Sequence, residues 1–165
     1  MAPPRFAVDK MLGRLATWLR LLGLDATYGA HLSGRTLLRH ARDEDRVILT
    51  RDRRLLRMPQ APPLLFITSD HFREQLRQVI AAYALDPFAG IFSRCSRCNA
   101  PLHTIPKDAA ADHVPPYVLS TQEHFVRCPG CRRIYWPATH AQHVRTELHT
   151  LGFAPGAPDA PVRLK

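Results

Sequence analysis

The chain has 165 residues, 45% of them hydrophobic, and a formal net charge of +9 at pH 7. No stretch approaches the roughly 18 apolar residues of a membrane span, and the N-terminal residues lack the apolar core of a secretion signal. We therefore expect a soluble, cytoplasmic protein with no membrane partner.

The basic excess extends over the whole chain. Residues 1–90 contain 14 basic and 9 acidic side chains, and residues 91–165 contain 9 and 5. Such a charge favours a polyanion, and RNA in particular, as the partner. Because 20 of the 23 basic residues are Arg, a compositional bias of the genome is the alternative explanation.

Strand and helix patterns alternate through the first half of the chain. Phe6-Ala7-Val8 predicts a short buried strand, and the apolar spacing from Met11 to Leu22 predicts an amphipathic helix that ends at Gly23. Further strands are predicted at 24–28, 46–50 and 64–67, and further helices around 37–41 and 72–83. This alternation indicates a parallel sheet covered on both faces. We predict an α/β fold, with a three-layer domain over residues 1–90.

Four cysteines in two Cys-x-x-Cys pairs mark the second half: Cys95, Cys98, Cys128 and Cys131. Thiolates at this spacing fit one structural zinc ion in a closed tetrahedral site. Two disulfides, or a redox dithiol, are the alternatives, and both need a context that this chain lacks. We predict a small zinc ribbon with a C-terminal helix over residues 91–151 and a disordered tail over 152–165. Removal of the metal is expected to unfold this module and leave the first domain largely folded.

Basic and aromatic residues follow the second cysteine pair. Arg132 and Arg133 come directly after it, and Tyr135-Trp136 follow. Cations beside aromatic rings suit phosphate contacts and base stacking. Coverage of the small ribbon core by Tyr135 and Trp136 is an equally good interpretation.

Three aspartates lie just beyond predicted strands. Asp9 follows the first strand directly, Asp52 lies two residues past the third, and Asp70 follows the fourth. Parallel strands end at one edge of the sheet, where open α/β folds bind their ligands. Carboxylates that converge there would hold Mg²⁺ or Mn²⁺, which can activate water against a phosphodiester. Helix capping by Asp9 and Asp70 is the alternative, and the spacing does not choose between the two.

A family resemblance adds to these patterns. Its motifs are the segments at 6–16, 18–23 and 48–53, the two cysteine pairs, and Tyr135-Trp136-Pro137-Ala138-Thr139-His140. Together they resemble the Mut-seven C-terminal RNase domain family, a branch of the PIN-like nucleases, over about residues 5–151. The resemblance implies a PIN-like α/β domain, a zinc ribbon and a metal-dependent ribonuclease that acts through clustered acids. It carries the catalytic role onto Asp9 and Asp52, with Asp70 as a third candidate.

One position departs from the family pattern. An acidic residue is expected to open the second helix, but Ser33-Gly34 stand there. The preferred function is hydrolysis of RNA phosphodiesters, in which Arg14, Arg51 and Arg53 hold flanking phosphates. The alternative is an RNA- or ribosome-binding module with a degenerate nuclease centre. The sequence predicts neither the RNA target nor any protein partner.

Overall fold

The computed structural model describes residues 2–155, without the side chains of 137–139. The seven strands of this part are β1 (Phe6–Val8), β2 (Ala26–Tyr28), β3 (Val47–Thr50), β4 (Leu64–Phe66), β5 (His103–Ile105), β6 (Phe125–Arg127) and β7 (Ile134–Tyr135). The α-helices are α1 (Gly13–Leu21), α2 (Gly34–Asp43), α3 (Phe72–Ala82), α4 (Lys107–Ala110), α5 (Pro116–Thr121) and α6 (Pro137–Thr150). Two 3₁₀ turns lie at Lys10–Leu12 and Leu55–Arg57.

The first four strands form one parallel sheet in the order β2-β1-β3-β4. The chain runs outward in one direction from β1 to β2 and in the other from β3 to β4, so the order reverses between the two central strands. In open α/β sheets this reversal is where a ligand crevice forms. We call the side formed by the segments that follow the strands (9–14, 29–35, 51–54 and 67–73) the carboxyl edge, and the opposite side the amino edge.

Helices cover both faces of this sheet. Successive side chains of a strand point to opposite faces, and here both faces carry apolar residues that need to be buried. Phe6, Val8 and Leu49 belong to a core formed with α1, α3 and α6, whereas Ala7 and Ile48 pack with α2 on the other face. The predicted α/β class with a parallel sheet is therefore confirmed, and the sheet is the middle of three layers.

The second half builds an antiparallel sheet in the order β5-β6-β7. Its small core centres on Phe125, which is fully buried, with Ala110, Val114 and Val118 from the α4–α5 region. The cysteine pairs lie in the turns that precede β5 and β7. This arrangement is that of a ribbon whose two turns converge on one centre.

Helix α6 follows the ribbon in sequence but packs against the first sheet. Val144 and Leu148 are buried in the same core as α1 and α3, and the Arg77 guanidinium donates to the Leu151 carbonyl at 3.0 Å. The domain division at residue 90 stays a prediction, and α6 contributes to the core of the α/β unit. The predicted tail lies outside the described residues from position 156 onward. None of the described helices has the length and apolar character needed to cross a membrane.

Candidate functional site

Asp9 is a buried carboxylate at the carboxyl edge. Its backbone amide donates to the Leu49 carbonyl at 3.0 Å, which fixes it at the end of β1 beside β3. Its side chain is 2% exposed, accepts a hydrogen bond from the Thr50 hydroxyl at 2.6 Å through Oδ2, and leaves Oδ1 buried without a partner among the described residues. It makes no side-chain cap to the 3₁₀ turn that follows. The capping interpretation is therefore wrong for Asp9.

Thr50 connects the segments of the two central strands. Its hydroxyl donates to Asp9 Oδ2 and accepts the backbone N–H of Asp52 at 3.0 Å. The residue is completely buried. The sequence analysis did not assign Thr50 to the site. Its signal was that a polar residue ends an apolar strand two positions before Asp52.

Asp52 is held by an arginine two residues further on. The Arg54 guanidinium contacts both carboxylate oxygens, with Nε 2.9 Å from Oδ1 and Nη2 2.8 Å from Oδ2, and its backbone N–H also donates to Oδ1 at 2.9 Å. These hydrogen bonds, with the Arg54 side chain first, lower the pKa of Asp52. Because the Arg54 side chain is 89% exposed, this pair is a surface ion pair that contributes little to stability. Nothing in the sequence reasoning singled out Arg54.

Asp70 lies at the rim of the same edge. Its side chain is 79% exposed and lies 3.7 Å from the His71 ring. The N-cap of α3 is His71, and no side-chain cap bond is present there, so capping by Asp70 is also wrong. Asp70 and His71 line a cavity of about 520 Å³ between the N-terminal ends of α1 and α3.

The three aspartates follow three strands of one sheet, but they do not form a compact metal-binding trio. Within residues 2–155, the only group of three or more Cys, His, Asp or Glu ligand atoms that all lie within 4.8 Å of one another is the four cysteines. The sheet brings Asp9 and Asp52 to neighbouring strand ends through Thr50, and Asp70 stays in solvent.

Gly34 stands, with Ser33, where the family resemblance leads us to expect an acid. It is the first residue of α2, has φ +51°, and leaves open space around an added Cβ. The Lys10 amide donates to the Leu32 carbonyl at 3.0 Å, so the loop before Gly34 lies against the segment that carries Asp9. Gly34 therefore lies at the carboxyl edge, as Asp9 does.

The predicted RNA-binding arginines fall into two sets. Arg14, Arg51 and Arg53 lie at the carboxyl edge, where the Arg14 guanidinium stacks 3.7 Å from the Phe72 ring centroid and Arg53 lies over Phe66. Arg132 and Arg133 are exposed on the second cysteine turn. The four segments of the carboxyl edge contain seven basic and three acidic residues, so this edge attracts anions.

The four cysteine sulfurs converge on one point. Cys95 and Cys131 Sγ are 3.7 Å apart, and Cys98 and Cys128 Sγ are 3.1 Å apart. A zinc ion with Zn–S bonds of about 2.3 Å separates tetrahedral ligands by about 3.8 Å. All four thiols are free of disulfides. The cluster is thus compatible with a structural zinc ion.

Groups around the cluster tune its thiols. Burial raises the pKa of Cys95, but hydrogen bonds from the Tyr135 hydroxyl at 3.1 Å and from nearby backbone amides bring it to about 6. Burial raises the pKa of Cys128. Tyr135 therefore contacts the thiolate cluster, and Trp136 packs on the ribbon core. The core-covering interpretation agrees with the position of Trp136, whereas the Tyr135 hydroxyl points to the cysteines.

The backbone of both cysteine turns is shaped by residues after the second cysteine. Asn99 and Arg132 adopt left-handed φ values of 69° and 63°. Gly130 serves close packing instead, because a Cβ there would lie 3.3 Å from Cys98 Sγ. The second turn therefore leaves little space for a side chain at position 130 beside the cysteine sulfurs.

The first cysteine turn is tied to the amino edge of the parallel sheet. Asn99 Oδ1 accepts the Ala26 amide at 3.0 Å, and Asn99 Nδ2 donates to Asp25 at 2.8 Å. Arg20 of α1, which is 6% exposed, donates to the Ala26 and Arg97 carbonyls, each at 2.8 Å. The thiolate cluster and the acidic edge thus lie at opposite ends of the strands.

A scan against protein-family models matches residues 4–148 to the Mut7-C RNAse domain. The chain belongs to this family. The match spans both the parallel-sheet unit and the ribbon, which confirms the resemblance drawn from the motifs. A search of curated proteins and a search of solved structures each find no match.

Proposed function

We propose that this member of the Mut7-C RNAse domain family is a metal-dependent ribonuclease that hydrolyses RNA phosphodiester bonds at the carboxyl edge. The observation that carries the proposal is Asp9, a buried carboxylate with one oxygen fixed by Thr50 and the other without a partner in the part of the chain that the structure describes. Leaving a buried charged oxygen unpaired is costly unless a cation or proton donor satisfies it. The family membership supports RNA as the substrate class.

The chain's own residues have separate roles in this proposal. Asp9 and Asp52 would hold Mg²⁺ or Mn²⁺, which when bound supplies an activated water and stabilises the leaving oxygen. Asp52 must first exchange its contact with Arg54, and the released guanidinium is then available to a phosphate. Arg14, Arg51 and Arg53 hold flanking phosphates, and Asp70 stays at the exposed rim, outside the pair of carboxylates that would hold the metal.

The cysteine cluster has a structural role in the same proposal. A closed Cys₄ site leaves no position for a water molecule, so its zinc ion supports the fold and takes no part in the chemistry. A cytoplasmic location remains a prediction from the sequence.

Two observations favour a second candidate, an RNA- or ribosome-binding module with a degenerate centre. Gly34 stands where the family resemblance leads us to expect an acid, and Arg54 neutralises Asp52 through a two-pronged contact. Such a centre would retain its basic edge and bind RNA without cutting it. The two functions differ in one measurable property, which is metal-stimulated cleavage.

The deciding experiment is cleavage of a labelled RNA by the zinc-loaded chain in Mn²⁺ or Mg²⁺. We expect slow cleavage that needs a high metal concentration, because two carboxylates hold these ions loosely. Asp9→Asn and Asp52→Asn should each eliminate cleavage and retain the fold, since Asn removes the charge and nearly preserves the shape. Asp43→Asn is the matched control, because Asp43 is an exposed acid at the far end of α2.

A gain-of-function variant tests the missing acid. Gly34→Asp should lower the metal concentration needed for half-maximal cleavage, because the site has open space and Asp tolerates a left-handed φ better than most residues. Gly34→Ala adds a side chain without the charge and should give no such gain. Absence of metal-stimulated cleavage by both wild type and Gly34→Asp would overturn the nuclease proposal in favour of the binding module.

A further inference from the structure

The carboxyl edge exposes an aromatic ring beside the acidic centre. Tyr28 is the last residue of β2 and pairs in register with Val8, the residue before Asp9. The side chain of Tyr28 is 37% exposed although it ends a strand of the core sheet. The neighbouring Met11 is 59% exposed. The roles proposed for the acids and the arginines give no reason for large side chains to be exposed beside this centre.

The Tyr28 ring is held in place rather than free in solvent. Its hydroxyl donates to the Lys10 carbonyl at 3.0 Å, and the ring lies over Gly13 at the start of α1. A Cβ at Gly13 would lie 2.6 Å from the hydroxyl and 2.9 Å from the adjacent ring carbon, so only glycine leaves room for this pose. A ring fixed at both ends loses little conformational entropy when a ligand stacks on it.

The surroundings of the ring are cationic. Lys10 and Arg14 flank Gly13 on the same segment, and Arg14 is oriented by its stacking on Phe72. Nucleic-acid sites that accept single strands combine such cations for the phosphates with an aromatic ring for a base. Duplex RNA does not suit this pattern, because its bases are stacked on one another and cannot reach a ring.

We propose that Tyr28 is a stacking platform for an unpaired RNA base next to the Asp9 centre, so that single-stranded RNA is the preferred ligand. This inference rests on the proposed function in placing RNA at the carboxyl edge. It adds a binding residue and a substrate class that neither the acids nor the family membership specify.

The test is binding of a fluorescein-labelled, unstructured 12-nucleotide RNA by the full zinc-loaded chain at low salt without added Mg²⁺ or Mn²⁺. Tyr28→Leu should weaken binding by roughly 5- to 100-fold, the loss of one base–aromatic stack. Tyr28→Phe keeps the ring and should stay within about twofold of wild type. Tyr117→Leu, which removes a 72% exposed tyrosine on α5, should leave the affinity unchanged. Binding of the same strand as a blunt duplex should be insensitive to all three variants.

A spectroscopic readout on the wild-type chain keeps the proposal testable even if Tyr28→Leu fails to fold. An RNA with 2-aminopurine at successive positions should show quenched fluorescence at one position when it is bound, and Tyr28→Phe should retain that quenching. A purely structural role for the hydroxyl predicts instead that Phe and Leu weaken binding equally. The proposal would be overturned by equal losses for Phe and Leu, or by equal losses for single-stranded and duplex RNA. Absence of quenching, or absence of single-strand binding, would overturn it as well.

The result separates this inference from the nuclease proposal. Stacking, with no metal-stimulated cleavage by either wild type or Gly34→Asp, would support Tyr28 and reject the nuclease. Cleavage with normal single-strand binding by Tyr28→Leu would reject Tyr28 and retain the nuclease.

Discussion

At the scale of single residues, one hydroxyl organises the acidic centre. Thr50 donates to Asp9 and accepts from the backbone of Asp52, so a single oxygen sets the position of both acidic segments. The Asp9 carboxylate depends on this donor, because its other oxygen, Oδ1, has no partner among the described residues. Thr50 is thus a positioning residue.

Replacing that hydroxyl has an expected cost. Thr50→Val preserves shape but leaves Asp9 without a donor, and we expect a loss of about 1–3 kcal/mol in the free energy of unfolding, measured in urea. Thr50→Ser retains the hydroxyl and should recover part of this loss. If the nuclease proposal holds, Thr50→Val should also raise the metal concentration that cleavage requires. Equal stability of the Val and Ser variants would show that the hydrogen bond has no positioning role.

At the scale of elements, strand β2 depends on side chains from outside the sheet. It is an edge strand, and such strands expose unpaired backbone groups unless they are covered. Asn99 of the first cysteine turn and Arg20 of α1 cover Ala26, and Asp25 just before it joins Arg46 at 2.6 Å. Burial raises the pKa of Asp25, but hydrogen bonds from Arg46 and Asn99 outweigh it and hold the pKa below the ordinary value.

A lowered pKa makes the stability of this junction depend on pH. The ionised Asp25 stabilises the fold above the unfolded-state pKa of about 3.9, and this contribution is lost as the pH falls through the lower folded-state pKa. Asp25→Asn should therefore lower the free energy of unfolding by about 2 kcal/mol at pH 7. This is less than the loss on breaking a wholly buried ion pair, because Glu44 still accepts a hydrogen bond from Arg46. The difference from wild type should shrink at pH below 4 in urea unfolding. Asp43→Asn should show no comparable loss at pH 7.

At the scale of the whole molecule, the ribbon half of the chain contacts the parallel-sheet unit at two places. The first cysteine turn binds β2 and α1 through Asn99 and Arg97, and α6 returns after the ribbon to the core of the first sheet. The sequence predicted that metal removal would leave the first domain largely folded. The contacts lead to a different expectation, in which the metal also supports the parallel sheet.

Metal removal tests that expectation directly. Chelation should lower the thermal midpoint of the whole chain in one transition and speed amide hydrogen exchange in β2, because a structural zinc contributes folding free energy. Asn99→Ala keeps all four thiols and removes one contact between the turn and β2, so the metal should protect β2 less in this variant. Unchanged exchange in residues 26–28 after chelation would show that the two units are independent.

The sequence alone determined the features that depend on local pattern. Alternating periodicity predicted the strands and helices of the first unit, because burial of one helical stripe or of whole strands leaves a direct trace in residue order. The two Cys-x-x-Cys pairs predicted the thiolate cluster, because the ligands of such a site are set by short spacing. The motifs also gave the family.

Tertiary structure decided what depends on contacts between distant segments. Only the fold shows that Thr50 joins Asp9, that Tyr28 lies over Gly13, and that Asn99 covers Ala26. These pairs are separated by 41, 15 and 73 residues in the chain, and no local periodicity encodes such meetings. Residue order therefore determined the elements and the cysteine cluster, and the way the sheet brings strand ends together decided which side chains share a site.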